Sequence, residues 1–239
     1  MANEVVASPS TGAREVAPQS VEERQFASGW WRGEHGSYRV AKRSLDVVGS
    51  IVLLLITSPI LLAAAVAIRL DSRGPAVFRQ TRIGRDGRPF KLYKFRGMYA
   101  DARDRFPDLY DYTYRLEDLS SLRFHPASDP RVTRIGRILR RTSIDELPNL
   151  VNVLLGEMSL VGPRPEIPEM LPHYGEAQSI ILGVKPGVTS PAKAAGRDEL
   201  TFTQTLALDV DYALHRSFAL DIRVLGQTIL AVLRQDGVD

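Results

Sequence analysis

Hydrophobic positions follow three regimes along the chain. Residues 1–36 show no hydrophobic period and are rich in Ala, Glu, Ser, Pro and Gly, which predicts a disordered tail. The tail lacks the apolar core of a secretory signal peptide. Trp30 and Trp31 near its end suit either a membrane interface or a small local cluster. From Val47 to Ile68 there follow 22 residues without a charge. As a helix, that run is long enough to cross a hydrocarbon core of about 30 Å. It has no polar stripe to turn toward water, so it meets lipid. Pro59 interrupts the run near its middle, after Thr57 and Ser58. Proline bends a helix, and the two hydroxyls can serve the carbonyls that the bend frees. Lys42 and Arg43 precede the run, and Arg69 and Arg73 follow it. Positive flanks mark the cytoplasmic side, and here both ends are positive. The pattern predicts a re-entrant helix–break–helix over residues 44–70 that enters and leaves one leaflet, with its break at Ser58–Pro59.

Beyond Arg73 the rhythm becomes that of a soluble region. The segment "AVFRQTRIGRDGRPFKLYKFRGM" reads as a β-hairpin turning at Asp86–Gly87. Residues 101–124 read as helix or loop. "DPRVTRIGRILRR" reads as a helix after Pro130, with Ile135, Ile138 and Leu139 as its apolar stripe. From Ser143 to Gly156, Ile144, Leu147, Val151 and Leu154 or Leu155 recur at helical spacing, and Gly156 is a natural stop. "MSLVGPRPEIP" and "GVKPGVTSP" read as stiff loops. Thr205 to Arg234 reads as one or two amphipathic helices. Phe218, Ile222, Leu225, Ile229 and Leu233 would share a face turned either to the core or to a membrane surface. The expected fold is α+β and mostly helical. It is that of a monotopic membrane protein, with one domain over residues 37–239 that contains the membrane element.

Charge adds an anionic partner to this picture. Arg79, Arg82, Arg85, Arg88, Lys91 and Lys94 recur every third residue, and Arg131, Arg134, Arg137, Arg140 and Arg141 form a second cluster. Such clusters suit phosphates or anionic headgroups, the latter by about 1 kcal/mol per residue. They flank a lipid-seeking segment and no nucleic-acid module is visible, so nucleic acid is excluded as the partner. The chain has no cysteine, which removes disulfides and thiolate metal sites. No Walker or Rossmann glycine loop, no G-x-S-x-G and no H-E-x-x-H occurs, and the four histidines are scattered.

The chemistry therefore falls on "TSIDELPNL", where Asp145 and Glu146 are adjacent. Ser143 and Glu146 match a capping box, a purely structural reading. Against it, Pro148 would then fall inside the helix, where its missing N–H is costly. If the helix starts near Leu147, the proline is at home and the two carboxylates project from the helix mouth. Adjacent residues do not share a helix face, so two different roles are natural. One carboxylate could attack an electrophile and the other could hold Mg2+ or Mn2+.

The chain resembles the bacterial sugar transferases of the monotopic phosphoglycosyl transferase family. The motifs that carry the resemblance are "KRSLD", "GPAVFRQTRIGRDGRPFKLYKFRGM", "DPRVTRIGRILRRTSIDELPNLVNVLLGEMSLVGPRPE" and "KPGVTS" followed by Gly196–Arg197. The resemblance implies transfer of a phosphosugar from a UDP-sugar to a polyprenol phosphate with release of UMP. It further implies the first membrane step of glycan assembly, at a bacterial cytoplasmic membrane. It implies a re-entrant helix broken at Ser58–Pro59, Asp145 as nucleophile and Glu146 as metal ligand. Pro163, Arg164 and Pro165 would help hold the diphosphate, and Lys94, Arg96, Arg131, Arg140 and Arg197 are further candidate substrate-binding residues. Ser190 and Lys193 depart from the Gly and Gln frequent in the family at those positions. No spanning helices precede the domain here, so the chain looks like a minimal catalytic unit. The competing functions are a nucleotide-sugar pyrophosphatase and a non-catalytic membrane adaptor.

Overall fold

The lipid-seeking run folds as a single long helix. A computed structural model describes residues 36–110, 114, 118–122, 129–196 and 200–234. The tail, with Trp30 and Trp31, lies outside the described residues except for Gly36, which opens α1 (Gly36–Asp71). At 1.5 Å per residue α1 is about 54 Å long. It is long and apolar enough to cross a membrane. Leu55, Ile56 and Leu62 along its middle are 69–70% exposed.

At the expected break, Ser58–Pro59, the structure has a proline within one continuous helix, Gly36–Asp71. Proline cannot serve the carbonyl four residues back, that of Leu55. The Ser58 hydroxyl donates to that oxygen at 2.8 Å, and Thr57 donates to the Leu53 carbonyl at 2.6 Å. The serine stands in for the missing N–H, and the helix continues.

Both ends of α1 dock on the same body of protein. At the first end, Lys42 Nζ donates to the Val161 carbonyl at 3.0 Å and to the Tyr212 hydroxyl at 3.1 Å, and pairs with Asp221 at 2.9 Å. Arg43 donates to the carbonyls of Val153 and Leu154. Asp46 accepts from Ser159 Oγ and from the Leu160 N–H. At the other end, Ala64 and Ile68 pack against Phe95 and Leu139, and the Asp71 carboxylate accepts the Ile135 N–H at 3.2 Å.

The hairpin forms as expected, from β1 (Val77–Ile83) and antiparallel β2 (Pro89–Phe95). Asp86 and Gly87 turn it with φ of 60° and 73°. A one-turn helix (Ala102–Arg105) follows, then α2 (Arg134–Thr142), whose Thr133 caps the Gly136 N–H. Its stripe is narrower than expected. Leu139 is buried and Ile135 half-buried, but Ile138 faces outward.

Next come α3 (Asn149–Leu155), stopped at Gly156 with φ 83°, and β3 (Ser159–Val161). After α4 (Ala177–Leu182), β4 (Gly187–Thr189) pairs parallel to β3. The chain ends in α5 (Pro191–Gly196), α6 (Phe202–His215) and α7 (Phe218–Arg234). The expected stripe on α3 is also corrected. Leu150 and Val153 are buried beside Asn149 and Asn152, whereas Val151 and Leu155 are exposed. The core gathers Phe90, Leu92, Leu150, Val153, Met158, Leu160, Val161, Tyr212 and Val224. On α7 the buried side carries Asp221 and Val224, so Phe218, Ile222 and Ile229 are left exposed. The architecture is mostly helical, with a small hairpin and one long apolar helix, which fits a monotopic membrane protein.

Candidate active site

The carboxylate pair sits on a turn shaped by Ser143. α2 ends at Thr142, and Ser143 takes a left-handed conformation, φ 59° and ψ 10°. Ile144–Glu146 then makes one tight helical turn before Pro148 leads into α3. The capping-box reading fails, because the Ser143 side chain makes no cap bond. Its left-handed backbone closes the preceding helix instead. Asp145 and Glu146 lie just before the mouth of α3.

Asp145 is 2% exposed. A buried carboxylate needs a partner, and Lys94 Nζ lies 2.8 Å from its Oδ2. The same ammonium is 3.5 Å from Glu146 Oε1, and Lys193 pairs with Glu146 Oε2. Strand alternation delivers Lys94: Phe90, Leu92 and Lys94 share one face of β2, and the first two enter the core. Burial pushes the Lys94 ammonium below its ordinary pKa. Asp145 holds it up, and the charges of Arg164 and Arg140 push it down further. Those two guanidiniums therefore stand within electrostatic reach of Lys94.

Asn152 fixes this geometry. Its Oδ1 accepts the Tyr93 N–H at 3.0 Å, and its Nδ2 donates to the Lys91 carbonyl and to Glu157, both at 2.7 Å. One side chain on α3 thus completes the free edge of β2 and sets Lys94 against Asp145. Sequence reading missed it. A buried-side asparagine at helical spacing between Leu150 and Val153 was the available signal.

The Pro163–Arg164–Pro165 loop is held from three sides. Gly162 and Gly187 let β3 and β4 approach closely, since a Cβ on Gly162 would lie 2.3 Å from the Lys185 carbonyl oxygen. Gly187 N–H donates to the Pro163 carbonyl at 2.8 Å. Arg82 donates to the Pro165 carbonyl at 3.0 Å. The Arg164 N–H donates to Asp209 Oδ2 at 3.0 Å, and its guanidinium lies 3.5 Å from Glu166. Asp209, also missed from sequence, is buried on α6. Burial first, and then the Glu166 charge, push its carboxyl up to about 7, against the Arg164 N–H and Ser190, which lower it. Ser190 also accepts the Lys193 N–H at 3.1 Å, at the start of α5.

Two expected substrate ligands are placed elsewhere. Arg96 is buried and gives its guanidinium to the carbonyls of Pro75, Arg73 and Ser72, where it caps the end of α1. Arg131 makes a two-pronged pair with Asp129 at 2.8 Å and donates to the Leu109 carbonyl. Arg140 lies 3.9 Å from the same Asp129 and stays on the site's flank. Arg197 lies outside the described residues.

The acid pair fits a hard divalent ion. Among the described residues no three His, Cys, Asp or Glu side chains converge on one point. Mg2+ commonly takes one or two carboxylates and completes its shell with water and substrate phosphates, a donor set that Asp145 and Glu146 can begin.

Comparison with known proteins gives the family. The family model described as bacterial sugar transferase matches residues 37–235. A galactosyl transferase of Streptococcus agalactiae is 41% identical over 202 residues, 84% of this chain and 44% of that protein. A sugar transferase of Bacillus subtilis is 41% identical over 199 residues, 83% of this chain and 90% of that protein. An undecaprenyl-phosphate galactose phosphotransferase of Salmonella typhimurium is 38% identical over 203 residues, covering 84% of this chain and 42% of that protein. The chain thus spans less than half of the Streptococcus and Salmonella relatives and most of the Bacillus one. The matched region holds the docked helix, the acid pair and the Pro-Arg-Pro loop together, and the chain belongs to the bacterial sugar transferase family.

Proposed function

We propose that this chain transfers a phosphosugar from a UDP-sugar to a polyprenol phosphate through a covalent intermediate on Asp145. The observation that carries this reading is the Asp145 carboxylate itself, buried and 2.8 Å from Lys94. Asp145 attacks the phosphorus that bears the sugar, and the bond to the UMP oxygen breaks. UMP leaves with the bonding electrons. An oxygen of the polyprenol phosphate then attacks the same phosphorus, the Asp145 oxygen–phosphorus bond breaks, and the carboxylate is restored. Two partial reactions at one centre imply ping-pong kinetics. Lys94 orients the nucleophile, and Arg164 neutralises charge that builds on the diphosphate. Glu146, with Asp145 beside it, would hold Mg2+ or Mn2+, which supplies further charge neutralisation. The relatives support this acceptor: two are named for undecaprenyl phosphate and galactose or glucose.

The membrane topology we propose is re-entrant. Lys42, Arg43 and Asp46 at one end of α1, and Ile68 and Asp71 at the other, dock on one body. That is hard to reconcile with a bilayer between the ends. The exposed Phe218, Ile222 and Ile229 on α7 would rest at the lipid surface. Basic flanks place the body on the cytoplasmic face of the bacterial membrane.

The test uses labelled UDP-sugars with the membrane-embedded protein. Without lipid acceptor, label should remain on the wild-type chain and be absent from Asp145→Asn. With polyprenol phosphate, label should pass into organic-extractable lipid, with turnover lowered in the variant by about 10²-fold or more. Label recovered only as free sugar phosphate would instead mean a pyrophosphatase. Equal turnover of the two proteins would remove Asp145 from the chemistry.

A further inference from the structure

Lys193 stands where the acid pair's second partner is decided. It lies on α5, whose first turn is fixed by Ser190: Ser190 Oγ accepts the Lys193 N–H at 3.1 Å, and the Ser190 carbonyl accepts the Ala194 N–H at 2.9 Å. Lys193 Nζ donates to the Val188 carbonyl at 2.8 Å and pairs with Glu146 Oε2. The other oxygen of Glu146 faces Lys94 at 3.5 Å. Each oxygen of the proposed metal ligand therefore faces an ammonium group. The quartet Lys94, Asp145, Glu146 and Lys193 carries two positive and two negative charges, so it is neutral as it stands. A divalent ion entering at Glu146 meets an ammonium at either oxygen, Lys193 at Oε2 and Lys94 at Oε1. Two cations cannot both sit close to one carboxylate oxygen without strong repulsion.

We propose that Lys193 is a built-in counter-cation that competes with the divalent ion for Glu146. When the metal binds, the ammonium is displaced toward the donor's diphosphate. Empty of substrate, the site is then self-neutralised and holds metal weakly. With donor present, metal and Lys193 both find anionic oxygens, so metal and nucleotide-sugar bind cooperatively. This inference rests on the metal role of Glu146 proposed above.

The experiment measures Mn2+ binding directly, by the electron-spin signal of free Mn2+, with the full chain in lipid nanodiscs and no substrate. Lys193→Gln should bind Mn2+ about tenfold more tightly than wild type, the effect of removing one nearby charge. Lys193→Arg keeps the charge and should stay near wild type, and Lys193→Met should repeat the Gln result if charge alone matters. The gain should vanish in the Glu146→Gln, Lys193→Gln double variant. At saturating Mn2+, Lys193→Gln should raise KM for UDP-sugar several-fold with a smaller change in kcat. A purely structural lysine, holding only the Val188 carbonyl, would leave Mn2+ affinity unchanged. Equal affinity in wild type and Lys193→Gln, with binding lost in Glu146→Gln, would overturn the role of Lys193 and leave the metal reading standing. No Mn2+ binding by any variant, alongside undiminished UMP release, would overturn both.

Discussion

Residues of one chemical type do quite different work here. Lys94, Arg96 and Arg131 all looked like phosphate ligands in sequence. Lys94 faces Asp145, Arg96 caps the end of α1, and Arg131 forks onto Asp129. Asp209 shows the opposite case, a functional neighbour hidden among apolar residues. Its carboxyl is pushed up to about 7, chiefly by burial. An unfolded aspartate ionises near pH 3.9. Between those values the folded chain binds a proton that the unfolded chain has lost, so stability falls as pH rises. The contribution is whole below about pH 4 and lost as pH passes 7. It amounts to at most about 4 kcal/mol over the window. Asp209→Asn keeps an acceptor for the Arg164 N–H and cannot ionise. Thermal melts from pH 4.5 to 8 should therefore fall less steeply for Asp209→Asn than for wild type. Parallel slopes would show that Asp209 is ionised throughout.

At the scale of elements, hydrophobic spacing found the helices but did not settle which side packs. On α7, the expected face of Phe218, Ile222, Leu225, Ile229 and Leu233, turned to core or membrane, divides: Phe218, Ile222 and Ile229 are exposed, while Leu225 packs against the core. Its inward side is chosen by Asp221, which Lys42, Tyr38 and Tyr212 all engage. On α3, Asn152 chooses the side by pairing with the edge of β2. Asn152→Ala should leave the Tyr93 N–H and Lys91 carbonyl without these partners. The cost expected is about 2–3 kcal/mol of unfolding free energy, since buried polar groups lose their bonds. Activity should fall as well, because the strand that carries Lys94 loses its register against Asp145. Denaturant unfolding and UMP release measured on the same samples would check both. A loss of activity with unchanged stability would mean that Asn152 does not hold β2.

At the scale of the whole molecule, one long apolar helix is docked at both ends on the rest of the protein. The buried groups at its two ends, Asp46 and Ile68, are separated by a stretch whose large apolar side chains are mostly exposed. The chain has no native cysteine, so single reporters are free of background. Val40→Cys and Pro75→Cys, both at exposed positions, should react with an impermeant maleimide from the same side of sealed vesicles. Reaction from opposite sides would mean that α1 spans the bilayer, and that its docking at one end is lost in the membrane.

The sequence by itself determined the apolar run, the hairpin with its Asp86–Gly87 turn, the stop at Gly156 and the acid pair. Each of these is local: its physics lies in a few neighbouring residues, in proline and glycine geometry or in an uninterrupted lack of charge. It also pointed to the family through motifs in order. Only the tertiary structure decided which cation meets which carboxylate. Lys94 and Asp145 are 51 positions apart, Lys193 and Glu146 are 47 apart, and nothing in spacing pairs them. The sequence did offer Thr57 and Ser58 as donors to the carbonyls near Pro59, and only which carbonyl each one meets, Leu53 and Leu55, depends on side-chain rotamers. Residues distant along the chain become partners because burying a charge or a backbone group demands one. That demand is met across the fold, by Asn152 for β2, by Asp209 for Arg164 and by Lys42 for Asp221.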